Sequence, residues 1–144
     1  ANPDDAKIVV DMENGCTVFD CIGGCKFMGL LLYAQDYVDL IASATGWDFT
    51  EDEFRRGGER VYNLIRAYCV RDGISRELDI LPARLMEDPL PDGAAEGMTV
   101  DAADLEKMKD AYYGYRGWDN TTGKPTPEKL AELGLDELAA DLWG

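Results

Sequence analysis

The chain has 144 residues, the size of one ordinary domain, and 46% of them are hydrophobic, so a single packed domain over residues 1–144 is expected. Its 29 acidic residues outnumber its 14 basic ones, and the formal charge of −15 argues against nucleic acid or an anionic membrane surface as a partner. The absence of histidine excludes Ser-His-Asp and Cys-His catalysis and any histidine-ligated metal site built from this chain alone.

The first predicted helix covers residues 5–21, where apolar residues recur at helical spacing. Asp4 or Asp5 is suited to cap its start, and Gly23-Gly24 is expected to end it. Asp20 then falls in the last turn, where exposed carbonyls already carry partial negative charge and a carboxylate is mildly unfavourable. A donor from outside the helix would relieve that conflict. The predicted apolar face consists of Ile8, Met12, Val18, Phe19 and Ile22.

The cysteine content indicates a reducing cytoplasm, because no secretory signal or membrane-length apolar run accompanies it. Cys25 follows a flexible glycine pair and precedes Lys26, which favours the thiolate form that binds metals. On a helix Cys16 and Cys21 point about 140° apart, so a complete four-thiolate site is not expected here. The residues alone leave two interpretations open, an ordinary helix end with a buried thiol or a site that meets a partner.

Two further helices are predicted before residue 73. One covers residues 34–45 and ends at Gly46, and the other begins at a Thr50/Glu53 capping box. Gly57-Gly58 weakens the second of these by about 1 kcal/mol per glycine relative to alanine, which suggests close packing against another backbone. Glu59 and Arg60 are expected to make an ion pair or to cap a loop. The predicted apolar seam of this helix is Phe54, Gly57, Gly58, Val61, Leu64, Ile65 and Tyr68.

Residues 74–100 contain three prolines and two glycines, which predicts a long loop with a short helix near residues 81–86. A loop of this length inside a compact domain often wraps another surface. Asp101 is expected to cap a helix that ends at Gly117. Another helix is expected to start at Thr126-Pro127, and residues 136–143 are expected to form the last one. The predicted fold is therefore all-α, an irregular domain of five to six helices with one long loop. Its expected core or interface anchors are Tyr112, Tyr113 and Trp118.

Several short motifs follow one another in a fixed order between about residues 7 and 135. They are Asp20-x-x-Gly23-Gly24-Cys25-Lys26-Phe27, Thr45-Gly46-Trp47, Gly58-Glu59-Arg60, Arg71-x-Gly73, Asp79-x-Leu81-Pro82-x-Arg84, Tyr112-Tyr113-x-x-Arg116-Gly117-Trp118-Asp119 and Gly123-x-Pro125-Thr126. Each is weak alone, but the ordered set resembles the C-terminal region of the tungsten-containing aldehyde:ferredoxin oxidoreductase family.

The resemblance implies an enzyme with a bis-pterin tungsten cofactor, or molybdenum in its place, beside a [4Fe–4S] cluster. Such an enzyme oxidises aldehydes to carboxylic acids and passes the electrons to ferredoxin. By the same resemblance, Asp20 accepts hydrogen bonds from one pterin, Gly23 and Gly24 contribute to that cofactor contact, and Cys25 ligates the cluster. The family's other three cluster cysteines lie in a C-x2-C-x3-C run that this sequence lacks. No catalytic residue is assigned to the chain, which is expected to be inactive alone.

The sequence departs from the family pattern at Gly24, where the motif usually has leucine, and this changes the packing beside the cluster. The start of the chain at Ala1, inside the matching region, is expected of an excised piece or of one subunit of a split enzyme. An alternative of a different class is a cofactor-free helical interaction module that keeps the family fold. Another is a relative with a different reaction, such as reduction of an aromatic thioester, or a different electron acceptor.

Overall fold

The computed structural model describes residues 4–29 and 31–144, apart from the side chains of Lys26 and Met28, and every regular element in these ranges is helical. The only β-type pairing there is an isolated bridge between Trp118 and Pro125. The all-α class is confirmed. The helices are α1 (Asp5–Cys21), α2 (Lys26–Gly29), α3 (Ala34–Thr45), α4 (Glu51–Arg71), α5 (Ala83–Glu87), α6 (Ala102–Arg116), α7 (Pro127–Glu132) and α8 (Asp136–Trp143), with a 3-10 turn at Arg76–Leu78.

The sequence predicts the boundaries of the long helices well, but not the short turns α2 and Arg76–Leu78. The capping box of α4 is confirmed, since the Glu53 N–H donates to Thr50 Oγ1 at 3.2 Å and the Thr50 N–H to Glu53 Oε2 at 2.8 Å. Thr126 likewise caps α7 by accepting from the Lys129 N–H. At α1 the expected side-chain cap is not formed, although Asp4 occupies the capping position.

α1 lies across α4 and α6, and two apolar clusters fill the spaces between the helices. The first joins α1, α3 and α4, and the second joins the end of α4 to α7 and α8. No helix in the described ranges combines the length and the apolar character needed to cross a bilayer. The first cluster consists of Val18, Phe19, Tyr37, Val38 and Phe54, and the second of Ala67, Leu130, Leu133, Leu135 and Leu142.

The crossing of α1 over α4 depends on a glycine. A Cβ atom on Gly58 would overlap the backbone carbonyl of Asn14, whereas a Cβ on Gly57 would meet nothing within 4 Å. The expectation of close backbone packing is therefore confirmed at Gly58 and wrong at Gly57. Glu59 forms an ion pair, as expected, with Lys129 Nζ at 3.0 Å from its carboxylate, whereas Arg60 donates to the backbone carbonyl of Leu133 at 3.5 Å.

Parts of the predicted apolar faces point to solvent. On α1 the exposed residues are Ile8, Met12 and Ile22, and on α4 they are Leu64, Ile65 and Tyr68. Apolar residues surround more than one side of each helix, so their spacing does not reveal which side the chain itself covers. The buried face of α4 keeps Phe54 and Gly58 of the predicted seam, and its other members are Asn63, Arg66 and Ala67.

A buried ion pair fixes the middle of α1. Arg116 is fully buried, and it donates to Glu13 Oε2 at 2.6 Å and to Asn14 Oδ1 at 2.5 Å. The hydroxyls of Tyr62 and Tyr112 donate to the same Glu13 carboxylate at 2.8 and 2.7 Å. Burial and the bond to Glu13 raise the pKa of Tyr112, which keeps this phenol a donor. One carboxylate thus ties α1 to both α4 and α6.

A second polar group fixes the start of the long loop. Arg66 donates to both Asp79 oxygens, at 2.9 and 2.6 Å, and to the Gly123 carbonyl at 2.9 Å. Tyr113 also donates to Asp79, and the Arg66 guanidinium lies 4.6 Å from the Trp118 ring centre. Partial burial opposes ionisation of Asp79, but these donors lower its pKa overall. We call the residues of the two groups the polar frame: Glu13, Tyr62, Arg66, Asp79, Tyr112, Tyr113 and Arg116.

The aromatic residues near the end of α6 are core anchors, as expected. Tyr113 and Trp118 are buried, and Tyr112 is half-buried. Their rings lie against one another, with centroids 5.4 Å apart for Tyr113 and Trp118 and 5.6 Å apart for Tyr112 and Trp118. The Trp118 indole N–H donates to Asn63 Oδ1 at 2.8 Å, so its polar edge is satisfied in the core.

Candidate cofactor-contact site

The C-terminal end of α1 carries every site residue that the sequence predicts. Gly23 adopts a φ of +72°, a left-handed conformation that glycine reaches without the penalty of a Cβ. The Gly24 N–H donates to the Phe19 carbonyl at 3.0 Å, which closes the helix end. The chain leaves the helix here, with Gly24 half-buried and Asp20, Gly23 and Cys25 exposed.

The chemistry of these side chains fits the groups implied by the resemblance. The exposed Cys25 thiol is not in a disulfide and can serve as one thiolate ligand. A carboxylate such as that of Asp20 can accept two parallel N–H donors. Within residues 4–29 and 31–144, no three or more acidic or cysteine side chains are grouped to hold a metal, so a cluster at Cys25 needs ligands from elsewhere. The Lys26 side chain, expected to favour the thiolate, lies outside the described part.

A single aromatic ring supports the segment around Cys25. Phe19 is 8% exposed, and its ring lies against the backbones of Gly24 and Gly29. The ring also meets Tyr37 edge to face, with centroids 4.0 Å apart. Sequence reasoning placed Phe19 on the apolar face of α1 but missed this role, because the contact depends on the path of the chain after the helix. The sequence signal for this contact was the presence of a glycine on each side of Cys25, at Gly24 and Gly29.

Large apolar side chains that neighbour the site in the sequence point to solvent. Phe27, Leu31 and Tyr33 are 80%, 82% and 83% exposed, and Ile22 is also exposed. Clustered exposed apolar residues are typical of surfaces that bind another protein surface or a ligand. The turn that carries Asp20 and Cys25 is therefore set in a surface suited to being covered.

A cavity of about 520 Å³ adjoins the inner side of this segment. Phe19 and Gly29 line it together with Cys16, Tyr37 and Phe54. The Tyr37 hydroxyl is buried and has no hydrogen-bond partner in the described part of the chain, and burial raises the pKa of this phenol. Because that oxygen is closed off from solvent, it does not offer a polar contact to a molecule in the cavity.

Comparison with known proteins gives a consistent result over almost the whole chain. The sequence model of a family described as aldehyde ferredoxin oxidoreductase, domains 2 & 3, matches residues 1–135. The tungsten-containing aldehyde ferredoxin oxidoreductase of Pyrococcus horikoshii is 38% identical over 133 residues, which are 92% of this chain and 21% of that protein. The protein of the same name in Pyrococcus furiosus is 38% identical over 136 residues, which are 94% of this chain and 22% of that protein. The chain thus spans about a fifth of the length of these curated relatives.

The fold is also found among solved structures. One of them is the active site complex BamBC of benzoyl coenzyme A reductase in complex with 1,5-dienoyl-CoA, with a TM-score of 0.77. The match covers 94% of this chain and 20% of that chain at 24% identity. At this identity the likeness extends to the fold alone.

Proposed function

The chain belongs to the aldehyde ferredoxin oxidoreductase family, and on that premise we propose that it is the C-terminal domain of a tungsten- or molybdenum-pterin enzyme with a [4Fe–4S] cluster. The enzyme oxidises aldehydes to carboxylic acids in the cytoplasm and passes electrons to a ferredoxin-type acceptor. The observation that carries this proposal is an exposed carboxylate in the last turn of α1, Asp20, followed within five residues by a free, exposed thiol, Cys25.

Each residue of the turn has a separate task in this proposal. When bound, the metal–pterin group and the cluster supply the two-electron oxidation and the one-electron transfers. Asp20 accepts N–H donors from one pterin edge and so orients it. Cys25 supplies one thiolate to the cluster. Gly23 and Gly24 contribute backbone to the cofactor contact, and Gly23 presents no side chain to an approaching cofactor. The chain holds and orients, and it contributes no catalytic residue.

The surface area supports a place within a larger enzyme. The chain exposes 9353 Å², whereas a self-contained globular protein of its mass exposes about 7,400 Å². The excess of about 2,000 Å² is more than twice the surface of about 800 Å² that each partner contributes to a standard protein–protein interface. The exposed apolar residues around Cys25 and along α4 are candidates for the covered area. The isolated chain, which lacks that cover and the other ligands, is expected to be colourless and inactive.

The test uses the whole enzyme and separates the two residues by their chemistry. Cys25→Ala removes one of four thiolates and should lose or convert the cluster while tungsten remains bound. Asp20→Ala leaves pterin donors unpaired, at a cost of about 1–3 kcal/mol each, so tungsten content should fall before iron content does. Cys21→Ala is the matched control, because it removes a neighbouring exposed thiol at a position that the motif leaves unspecified.

Iron and tungsten analysis with electron paramagnetic resonance spectroscopy decides the outcome. An unaltered cluster signal in Cys25→Ala, together with full tungsten and activity in Asp20→Ala, would refute these residue roles. An assembled complex that contains neither tungsten nor iron would favour the alternative, a cofactor-free interaction module with the same fold.

A further inference from the structure

The backbone on both sides of Cys25 lies against one phenyl ring. A Cβ atom on Gly24 would come within 2.9 Å of Phe19 Cδ1, and a Cβ on Gly29 would come within 2.7 Å of Cζ and 2.9 Å of Cε2. Real Cβ atoms do not approach carbon this closely, so the ring occupies the space that side chains at both positions would need. Neither glycine has a positive φ, so the ring contact and not the backbone conformation is what requires glycine there.

The ring has little freedom to move aside. Phe19 meets Tyr37 edge to face at a centroid distance of 4.0 Å, and Tyr37 in turn stacks on Phe54 at 6.1 Å. All three residues are buried in the cluster between α1, α3 and α4. The Phe19 carbonyl also accepts the Gly24 N–H. One residue therefore fixes the segment through its side chain and through its backbone.

We propose that Phe19 is the positioning residue of the Cys25 thiol. The ring sets how close the segment from Gly24 to Gly29 lies to the helical core, and so it sets where the thiol is presented. This inference rests on the proposed role of Cys25 as a cluster ligand. It also accounts for glycine at position 24, because the Phe19 ring already fills the volume that a larger residue would take.

A positioning role has a spectroscopic consequence that a purely structural role lacks. The potential and the magnetic signature of an iron–sulfur cluster depend on hydrogen bonding to its sulfur atoms and on solvent exposure, both of which change when a ligand backbone shifts. A displaced Cys25 should therefore change the cluster while leaving it bound.

The experiment compares the assembled enzyme with three variants. Gly24→Ala pushes the segment off the ring and should shift the midpoint potential and the paramagnetic signal of the cluster. Adding Phe19→Leu should return both toward the wild-type values, because leucine removes the ring edge that alanine meets. Gly15→Ala is the control, since a Cβ at that position of α1 meets nothing within 4 Å. The shift in midpoint potential caused by Gly24→Ala must exceed the difference in potential between the wild type and this control.

Each outcome counts for or against the inference. A wild-type potential and signal in Gly24→Ala overturn it, and so does a double variant that shows no recovery. If Gly24→Ala fails to assemble a cluster, recovery of the cluster in the double variant supports the inference, and its absence overturns it. Cys25→Ala is measured in parallel: retention of an unaltered cluster there refutes the proposed function itself, a result that is distinct from a failure at Gly24 alone.

Discussion

The middle and the end of α1 are two turns apart, yet they are held in opposite ways. In the middle, Glu13 lies against the fully buried Arg116 and accepts two tyrosine hydroxyls. At the end, Asp20 and Cys25 are exposed, and the segment rests on the Phe19 ring. The difference teaches that partly buried polar bonds fix the middle of the helix, whereas the candidate site at its end is exposed to groups from outside.

Three of the seven family motifs lie in or beside the polar frame. Of the residues that carry the resemblance, Asp79, Tyr112, Tyr113 and Arg116 belong to the polar frame, and Gly123 leaves no room for a Cβ beside Arg66. These three motifs therefore report how the helices are held together, whereas the cofactor contacts that we propose lie in the Asp20–Cys25 motif.

The strongest test of the comparison removes the charge at the centre of the polar frame. Arg116→Met leaves the Glu13 carboxylate without its buried cation and should lower the free energy of unfolding by about 3 kcal/mol. Urea unfolding followed by circular dichroism measures the change. Arg84→Met, which alters an exposed arginine, should stay within about 0.5 kcal/mol of the wild type. Equal losses in the two variants would contradict the assigned role of the frame.

Replacing each of two adjacent glycines in α4 by alanine should change the free energy of unfolding in opposite directions. Gly58→Ala forces α1 and α4 apart at Asn14 and should destabilise the fold by about 1–3 kcal/mol. Gly57→Ala meets open space and improves helix propensity, so it should stabilise the fold by about 0.5–1 kcal/mol. Midpoints of thermal or urea unfolding distinguish the two. The same sign in both variants would mean that the helix crossing is looser than described.

Measuring stability as a function of pH tests the role of Asp79, which anchors the start of the long loop. Asp79→Asn should lower the free energy of unfolding by about 1–3 kcal/mol at neutral pH, because the charge-assisted hydrogen bonds to Arg66 and Tyr113 weaken. The pKa of Asp79 is lowered in the folded state, so its contribution is fully present above the ordinary aspartate pKa of about 3.9 and is lost as the pH falls through the lowered value. The stability difference between wild type and variant should therefore shrink below about pH 4. A difference that grows on acidification would contradict this assignment.

The smallest effect is expected at the site itself. In the isolated chain, Cys25→Ala replaces an exposed residue and should change the free energy of unfolding by no more than about 0.5 kcal/mol. A calorimetric scan of the two chains is sufficient to measure this. A large loss would place Cys25 in the structural core, and the contrast between the two regions of α1 would no longer hold.

Sequence reasoning predicts local features of this fold better than tertiary ones. The bounds of α1, the Thr50/Glu53 box and the turn at Gly23 depend on neighbouring residues, and all are confirmed. The burial of Arg66 and the exposure of Ile65 were missed, because they depend on which surfaces the rest of the chain covers. At the site, the sequence indicates Asp20 and Cys25, but not the ring of Phe19 beneath them.

The ion pair between Glu13 and Arg116 joins residues that are 103 positions apart in the chain. At about 5–20 residues per second, a ribosome needs about 5–20 s to add the second partner after the first has been made. During that time the buried face of α1 has neither its cation nor the helix that carries it. The packing of α1 against α4 can form earlier, because α4 ends at Arg71, but its docking on α6 is a late event in synthesis. Nascent chains that stop before residue 116 therefore leave the Glu13 side of α1 uncovered for chaperones and proteases.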